Sequence, residues 1–276
     1  MPSARNGHLI NRQLAVTTAV ALLCVGALSA CGPNDDKGGQ DAGKTAAPTA
    51  TGTAAPATTG AAPTATGTGG TGGAPKGSIP AAAWMSARSI PMDETYHWAE
   101  LARVAKPVTG DAATFKGMEL CHTPVAKDDA WLFTGKAAAR AALNEGGAEH
   151  WTAQQTLVHH GDPRPSSGAK QATNLAYAHL VEAVKNCGQS LPGATVKVAS
   201  ADDAPYFAAT VTAPGPDGTT VTLHEYAVAA GGSVSELAVF ARAKAGAQPK
   251  DAWKAPEDRY VGTGMTAPLC EALPGC

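Results

Sequence analysis

From Gly32 to about Ile79 the chain has almost no large apolar side chain. A segment of that kind cannot bury enough surface to offset an ordering entropy of about 1–2 kcal/mol per residue. Residues 31–79 are therefore expected to form a disordered stalk rich in Ala, Thr, Gly and Pro. Ala47-Pro-Thr-Ala-Thr-Gly-Thr53 recurs as Ala62-Pro-Thr-Ala-Thr-Gly-Thr68, a low-complexity duplication rather than a solenoid repeat. A Gly-rich coil of this length has a mean reach of roughly 35–40 Å, and its prolines extend it further. All five Trp and all five Tyr lie after the stalk. Residues 80–276 are thus the one region able to close a hydrophobic core.

Ahead of the stalk, Arg5 and Arg12 precede an apolar run, Leu14 to Leu28, with no acidic residue. A positive segment, a short apolar core and small residues form a secretory leader, and the run is short for a bilayer span of roughly 20 residues. Leu28-Ser29-Ala30-Cys31 resembles the lipobox of bacterial lipoproteins. That resemblance implies cleavage after residue 30, a diacylglycerol thioether on Cys31 and acylation, typically with palmitate, of the new amino terminus. The alternative is an ordinary secreted protein cut after Ala30. Two or more chains, at roughly 0.8 kcal/mol per buried CH₂, give stable anchoring. The expected location is the outer face of the cytoplasmic membrane, exposed to the cell envelope. The formal net charge is −2, and losing the two leader arginines makes it more negative. A polybasic grip on lipid is not expected, nor is a nucleic-acid partner.

Within residues 80–276, Met92-Asp93-Glu94 opens an expected helix to about Ala105, with Trp98, Leu101 and Val104 on one stripe and Pro107 as its stop. Thr114–Thr123 is expected to be extended and Ala130–Phe133 to be a strand. Lys136–Asn144 is Ala-rich and closes at Gly146-Gly147. Trp151–His160 reads as a strand, followed by a turn at His159-His160-Gly161-Asp162-Pro163. The strongest periodicity runs from Ala169 to Cys187, where Ala172, Leu175, Ala176, Leu180, Ala183 and Val184 recur at helical spacing. Ser166 or Ser167 can cap its start and Gly188 its end. Alternating stretches follow at 194–200, 205–213, 219–229 and 233–243, joined by short Gly- and Pro-rich links that favour an antiparallel meander. The expected class is α+β: an antiparallel sheet with helices packed on one face.

Six cysteines become four once Cys24 leaves with the leader and Cys31 takes lipid. Cys121, Cys187, Cys270 and Cys276 in an exported domain imply two disulfides. Four cysteines allow three pairings, and spacing does not select one. The expectation taken forward is Cys121–Cys187 with Cys270–Cys276, the latter closing a small loop at Pro274-Gly275.

Candidate chemistry is sparse. His159, His160 and Asp162 offer two imidazoles and a carboxylate for a divalent metal. Neighbours on a strand point to opposite faces, however, and a solvated turn is the simpler reading, so no metal or other cofactor is expected. Ser167-Gly-Ala-Lys170 has the S-x-x-K spacing of penicillin-interacting enzymes. Its companion motifs are absent, so a helix cap with a solvent-facing Lys170 is expected. His122 beside Cys121 mimics a thiol–imidazole pair, but a disulfide would remove the thiol. Glu94 with Glu100, and Asp202 with Asp203, are acid pairs that nothing holds opposite a substrate. Trp84, Trp98, Trp131 and Trp151 suit a core better than a ligand platform.

The strand at 152–160, the helix ending at Cys187 and the consecutive strands from Ala194 resemble the extracellular sensor domain of PknH-type serine/threonine kinases and their stand-alone lipoprotein relatives in actinobacteria. The resemblance covers Trp151 to about Ala243. It implies a helix-backed antiparallel sheet with a cleft and two disulfides, and a non-enzymatic ligand-binding or sensing role outside the cytoplasm. It places no binding residue on this sequence. The sequence has no kinase segment, so signalling by this chain alone is not implied. The expected partners are the membrane, through lipid, and a small molecule, an envelope glycan or another protein. The competing expectations are a metal- or serine-dependent envelope hydrolase and an accessory protein docking on a membrane partner.

Overall fold

A computed structural model describes residues 78–276 apart from 111–113, 145–146 and 148. The leader, Cys31 and most of the stalk lie outside the described residues. In chain order the elements are α1 (Asp93–Tyr96), α2 (Leu101–Val104), β1 (Lys106–Pro107), α3 (Lys116–Leu120), α4 (Ala130–Thr134), β2 (Ala137–Leu143) and β3 (Thr152–His159). They continue with α5 (Ala169–Lys185), α6 (Cys187–Ser190), β4 (Thr195–Val198), β5 (Phe207–Pro214), β6 (Thr219–Ala230), β7 (Ser233–Lys244) and α7 (Asp258–Ala272).

The strands form one seven-stranded sheet in the order β1-β2-β3-β7-β6-β5-β4, and every pairing is antiparallel. The meander from β4 to β7 is the one the alternating stretches predict. Its tightest link is Gly231-Gly232, both at positive φ (54° and 65°), a backbone that suits a two-residue hairpin turn. A Cβ at Gly232 would lie 1.9 Å from the Gly161 carbonyl oxygen, so that position has no room for a side chain.

The α+β class with an antiparallel sheet and helices is as expected, and α5 lies on one face. Ala176, Leu180 and Val184 of α5 pack there with Val158, Val211, Leu223, Val234 and Ala238. The opposite face is covered as well. Val261, Met265 and Leu269 of α7, with Trp84, Met85, Ile90 and Leu101, pack on Leu157, Tyr226, Leu237 and Val239. Period-2 alternation on β3, β6 and β7 feeds these two cores separately.

Several local expectations change. The helix expected over Met92–Ala105 is two single turns, because His97 takes a left-handed conformation (φ 48°) and the Trp98 N–H donates to Asp93 Oδ1 at 2.8 Å. Thr114–Thr123 is not extended: it contains α3. Ala130–Phe133 is not a strand: it is α4, with Leu132 and Phe133 buried and Trp131 turned out. A four-residue apolar run does not distinguish the two periods. Leu175, expected on the buried stripe of α5, is 40% exposed. Neither Ser166 nor Ser167 caps α5: Gly168, at φ 68°, holds the N-cap position, and Ser167 Oγ, one residue earlier, accepts from the Ala169 N–H at 3.2 Å. The helical turns continue past Gly188 into α6.

Cys121 pairs with Cys187, and Cys270 with Cys276. The first bridge ties the end of α3 to the end of α5. The second closes the C-terminal loop beside the β6–β7 turn, where a Cβ on Gly231 would approach Cys276 Sγ at 3.5 Å.

Candidate functional site

On the α5 side, β7 presents Glu236, Ala238, Phe240, Arg242 and Lys244, because alternate residues share a face. Beside them lie Leu223, Glu225 and Ala227 of β6, Gln154 and Thr156 of β3, and Arg140 of β2. Glu225 and Glu236 are both 0% exposed. They sit diagonally, Glu225 opposite Ala238 and Glu236 opposite Ala227.

Gly117 of α3 makes this burial possible. A Cβ there would lie 2.7 Å from Val184 Cγ2 and 3.1 Å from Glu225 Cδ. Without one, the backbone descends until the Gly117 N–H donates to Glu236 Oε1 at 2.8 Å. Burial pushes the Glu225 carboxyl well above its ordinary range, and the neighbouring Glu236 pushes it further. Burial also raises Glu236, against the lowering pull of the Lys116 and Gly117 amides, the Glu225 hydrogen bond and the Arg140 charge. Burial beside Glu236 thus favours the protonated form of Glu225, while the Gly117 amide favours charge on Glu236.

Arg140 borders the pair. Its Nη2 donates to Glu119 Oε1 at 3.0 Å and to the Thr114 carbonyl. Glu119 also receives Lys116 Nζ at 3.2 Å, and that ammonium stands 5.1 Å from the centre of the Phe240 ring.

Beyond α3 the sheet face opens. A trough of about 630 Å³ is floored by Thr152, Gln154 and Phe240 and flanked by Lys116, His150, Arg242 and Lys244. This volume lies within the range of small-molecule sites, about 300–1,000 Å³. A smaller depression of about 200 Å³, lined by His122, Leu191 and Pro214, shares Lys116, Phe240 and Arg242 with it. The two hollows thus run on either side of the Lys116–Phe240 contact. Arg242 and Lys244 are exposed and make no ion pair among the described residues. The carboxyl pair, being fully covered, cannot touch a molecule in the trough. Its part is to hold α3 to the sheet.

The residues singled out from sequence lie elsewhere and are not gathered into one centre. His159 Nδ1 is 2.8 Å from Ser233 Oγ. His160 is buried, its Nε2 at 2.9 Å from the Leu132 carbonyl and its Nδ1 at 3.2 Å from Thr173 Oγ1. Burial lowers the pKa of both rings. Asp162 binds Arg164 at 2.7 Å. His159, His160 and Asp162 thus each have a hydrogen-bond or ion-pair partner other than one another. Among the described residues no three His, Cys, Asp or Glu side chains come together as a metal set. Ser167 Oγ donates to the carbonyls of Asp162 and Arg164, not to Lys170. Cys121 is in a disulfide, so His122 has no thiol beside it. Asp202 stands 3.8 Å from Lys185, and Glu94 and Glu100 are exposed. Trp84, Trp98 and Trp151 are buried, whereas Trp131 is 54% exposed.

Sequence reasoning missed Glu225 and Glu236. Their signal was available: each occupies an inward position of an alternating stretch, Leu223-x-Glu225-x-Ala227 and Val234-x-Glu236-x-Ala238. It also missed His224, stacked on Trp253 with ring centres 3.5 Å apart. Burial lowers the pKa of that imidazole to about 4.

No helix among the described residues is long and apolar enough to cross a membrane. No protein-family model, no curated protein and no solved structure matches the chain.

Proposed function

We propose that the chain is a lipoprotein held by lipid on Cys31 at the outer face of the cytoplasmic membrane, and that its globular domain binds a ligand non-enzymatically in the trough over Phe240. The observation that carries the binding reading is the trough itself, about 630 Å³ of open sheet face between α3 and the ends of β3 and β7. A hydrolase would need a nucleophile or metal set beside such a space. His160 and Ser167 border a separate hollow of about 530 Å³, where His160 is held by the Leu132 carbonyl and Thr173 and Ser167 by the Asp162 and Arg164 carbonyls, and the buried carboxyl pair is sealed under Gly117. Two disulfides suit an oxidising compartment. The likeness to PknH-type sensor domains points to the same kind of role.

The test of binding is thermal unfolding of the full chain against cell-envelope extracts. A rise in melting temperature that Phe240→Ala abolishes supports the trough, since a ligand at 100 times its Kd adds about 2.7 kcal/mol. No extract-dependent rise, or an equal rise in Phe240→Ala, removes it. Anchoring has a separate test. Radiolabelled palmitate is expected to enter the wild-type chain and to be lost entirely in Cys31→Ser. Equal labelling of the two would refute the lipid anchor.

A further inference from the structure

We propose that the trough takes an extended polyanion, a ligand carrying at least two negative groups about 7 Å apart, held by Arg242 and Lys244 and passing over Phe240 beside Lys116. This rests on the binding reading above and names its ligand class. The spacing comes from the strand: residues two apart on β7 share a face, and two residues at about 3.4 Å each separate them by roughly 7 Å. Arg242 and Lys244 occupy such positions, both exposed and both on the wall of the trough.

Charge supports the same class. The whole chain is net negative, at −2, yet this stretch collects Lys116, Arg242 and Lys244 around one hollow. Among the described residues its acids are Glu149 in the main trough and Glu119 in the adjoining depression. Glu119 is already matched by Lys116 and Arg140, at 3.2 and 3.0 Å. Arg242 and Lys244 are left with no carboxylate partner among the described residues, and unpaired cations along a concave wall concentrate anions.

The extended shape follows from continuity. The smaller depression shares Lys116, Phe240 and Arg242 with the main trough, so a chain-like ligand can lie across both. Gln154, only 6% exposed, lines the floor of the main trough and turns its amide nitrogen to Thr156 at 3.4 Å. A single small anion would meet at most one end of this arrangement.

The experiment measures binding of three probes to the full chain: linear polyphosphate, polygalacturonate and neutral dextran. Inorganic phosphate serves as the single-charge comparison. At least one of the two polyanions is expected to bind, more tightly than inorganic phosphate and more weakly as salt rises, while dextran does not bind. Which of the two binds distinguishes a phosphate-bearing from a carboxylate-bearing source. Arg242→Ala combined with Lys244→Ala is expected to weaken that binding about tenfold or more. Its melting temperature should be unchanged, because both side chains are exposed. Lys197→Ala, on the edge strand β4, should bind like the wild type. Failure of both polyanions, or binding indifferent to the double variant, overturns the proposal. If both fail while an envelope extract still raises the melting temperature through Phe240, the charge class alone is wrong. If the extract response is absent too, the trough reading falls with it.

Discussion

Replacing Cys121 and Cys187 together by Ala is expected to lower stability by about 4 kcal/mol. The bridge joins positions 66 residues apart, and in the chain-entropy picture a loop of that length restricts the unfolded chain by about that amount. For a domain of this size the melting temperature should fall by about 8–16 °C. Both sulfurs are fully buried where α3 meets the end of α5. The Ser190 hydroxyl donates to the Cys121 carbonyl across the same junction. The Cys270–Cys276 bridge spans only 6 residues, so Ala at both of its positions should cost about 2 kcal/mol. Thermal unfolding of the two double variants, side by side without reductant, checks the ranking. A loss at Cys121 and Cys187 no larger than that at Cys270 and Cys276 would mean that the junction is held by packing alone.

The second large effect is on pH. Glu225 ionises in the unfolded chain near its ordinary value of 4.5, whereas burial beside Glu236 keeps its proton on well above that value in the folded chain. The folded state therefore binds more protons than the unfolded state throughout that window. Stability contributed by the held proton is complete below the ordinary value. It is lost as pH rises toward the folded-state value, by about 1.4 kcal/mol per pH unit for one proton. The Glu225 contribution to wild-type stability should thus decline from about pH 5 upward, while the buried imidazoles of His159, His160 and His224, whose pKa values are lowered, contribute with the opposite sign up to about pH 6.5. Glu225→Gln is close in shape and has no proton to lose, so it should remove the Glu225 contribution, about 1.4 kcal/mol per pH unit, relative to the wild type. Glu119→Gln, at a partly exposed carboxylate, should not remove it. Parallel pH profiles for wild type and Glu225→Gln would show that the pair does not hold its proton on folding.

The legibility of this chain follows burial. The strands from Thr195 onward and the strand before His160 were readable because one face of each meets a core, and alternation records that contact directly. Helix α5 was readable for the same reason at its own period. Ala137–Leu143 was not: its alanines favour a helix, yet pairing with β3 along its whole length makes it a strand. Helix α7 was hidden by Gly262, Gly264 and Pro268, residues that argue against a helix when read alone. In the folded domain those glycines are what let it dock. A Cβ on Gly262 would meet the Tyr206 ring at 2.8 Å, and one on Gly264 would meet Ser89 Cβ at 3.1 Å.

The candidate site was the least legible part. Neither Phe240 nor Arg242 nor Lys244 belongs to a motif, and they come together with Lys116 of α3 and Thr152 and Gln154 of β3 only through the sheet pairing and the packing of α3. Glu225 and Glu236 lie 11 positions apart in the chain and meet only because β6 and β7 pair in one register.

Composition and periodicity, being local properties of the chain, determined by themselves the meander, the long helix and the presence of paired cysteines. Which cysteines join, which alanine-rich stretch becomes a strand, which carboxyls are buried side by side and where a hollow forms over Phe240 were decided only in three dimensions. Each of those outcomes depends on the register and close approach of segments distant in sequence, and no local pattern carries that information.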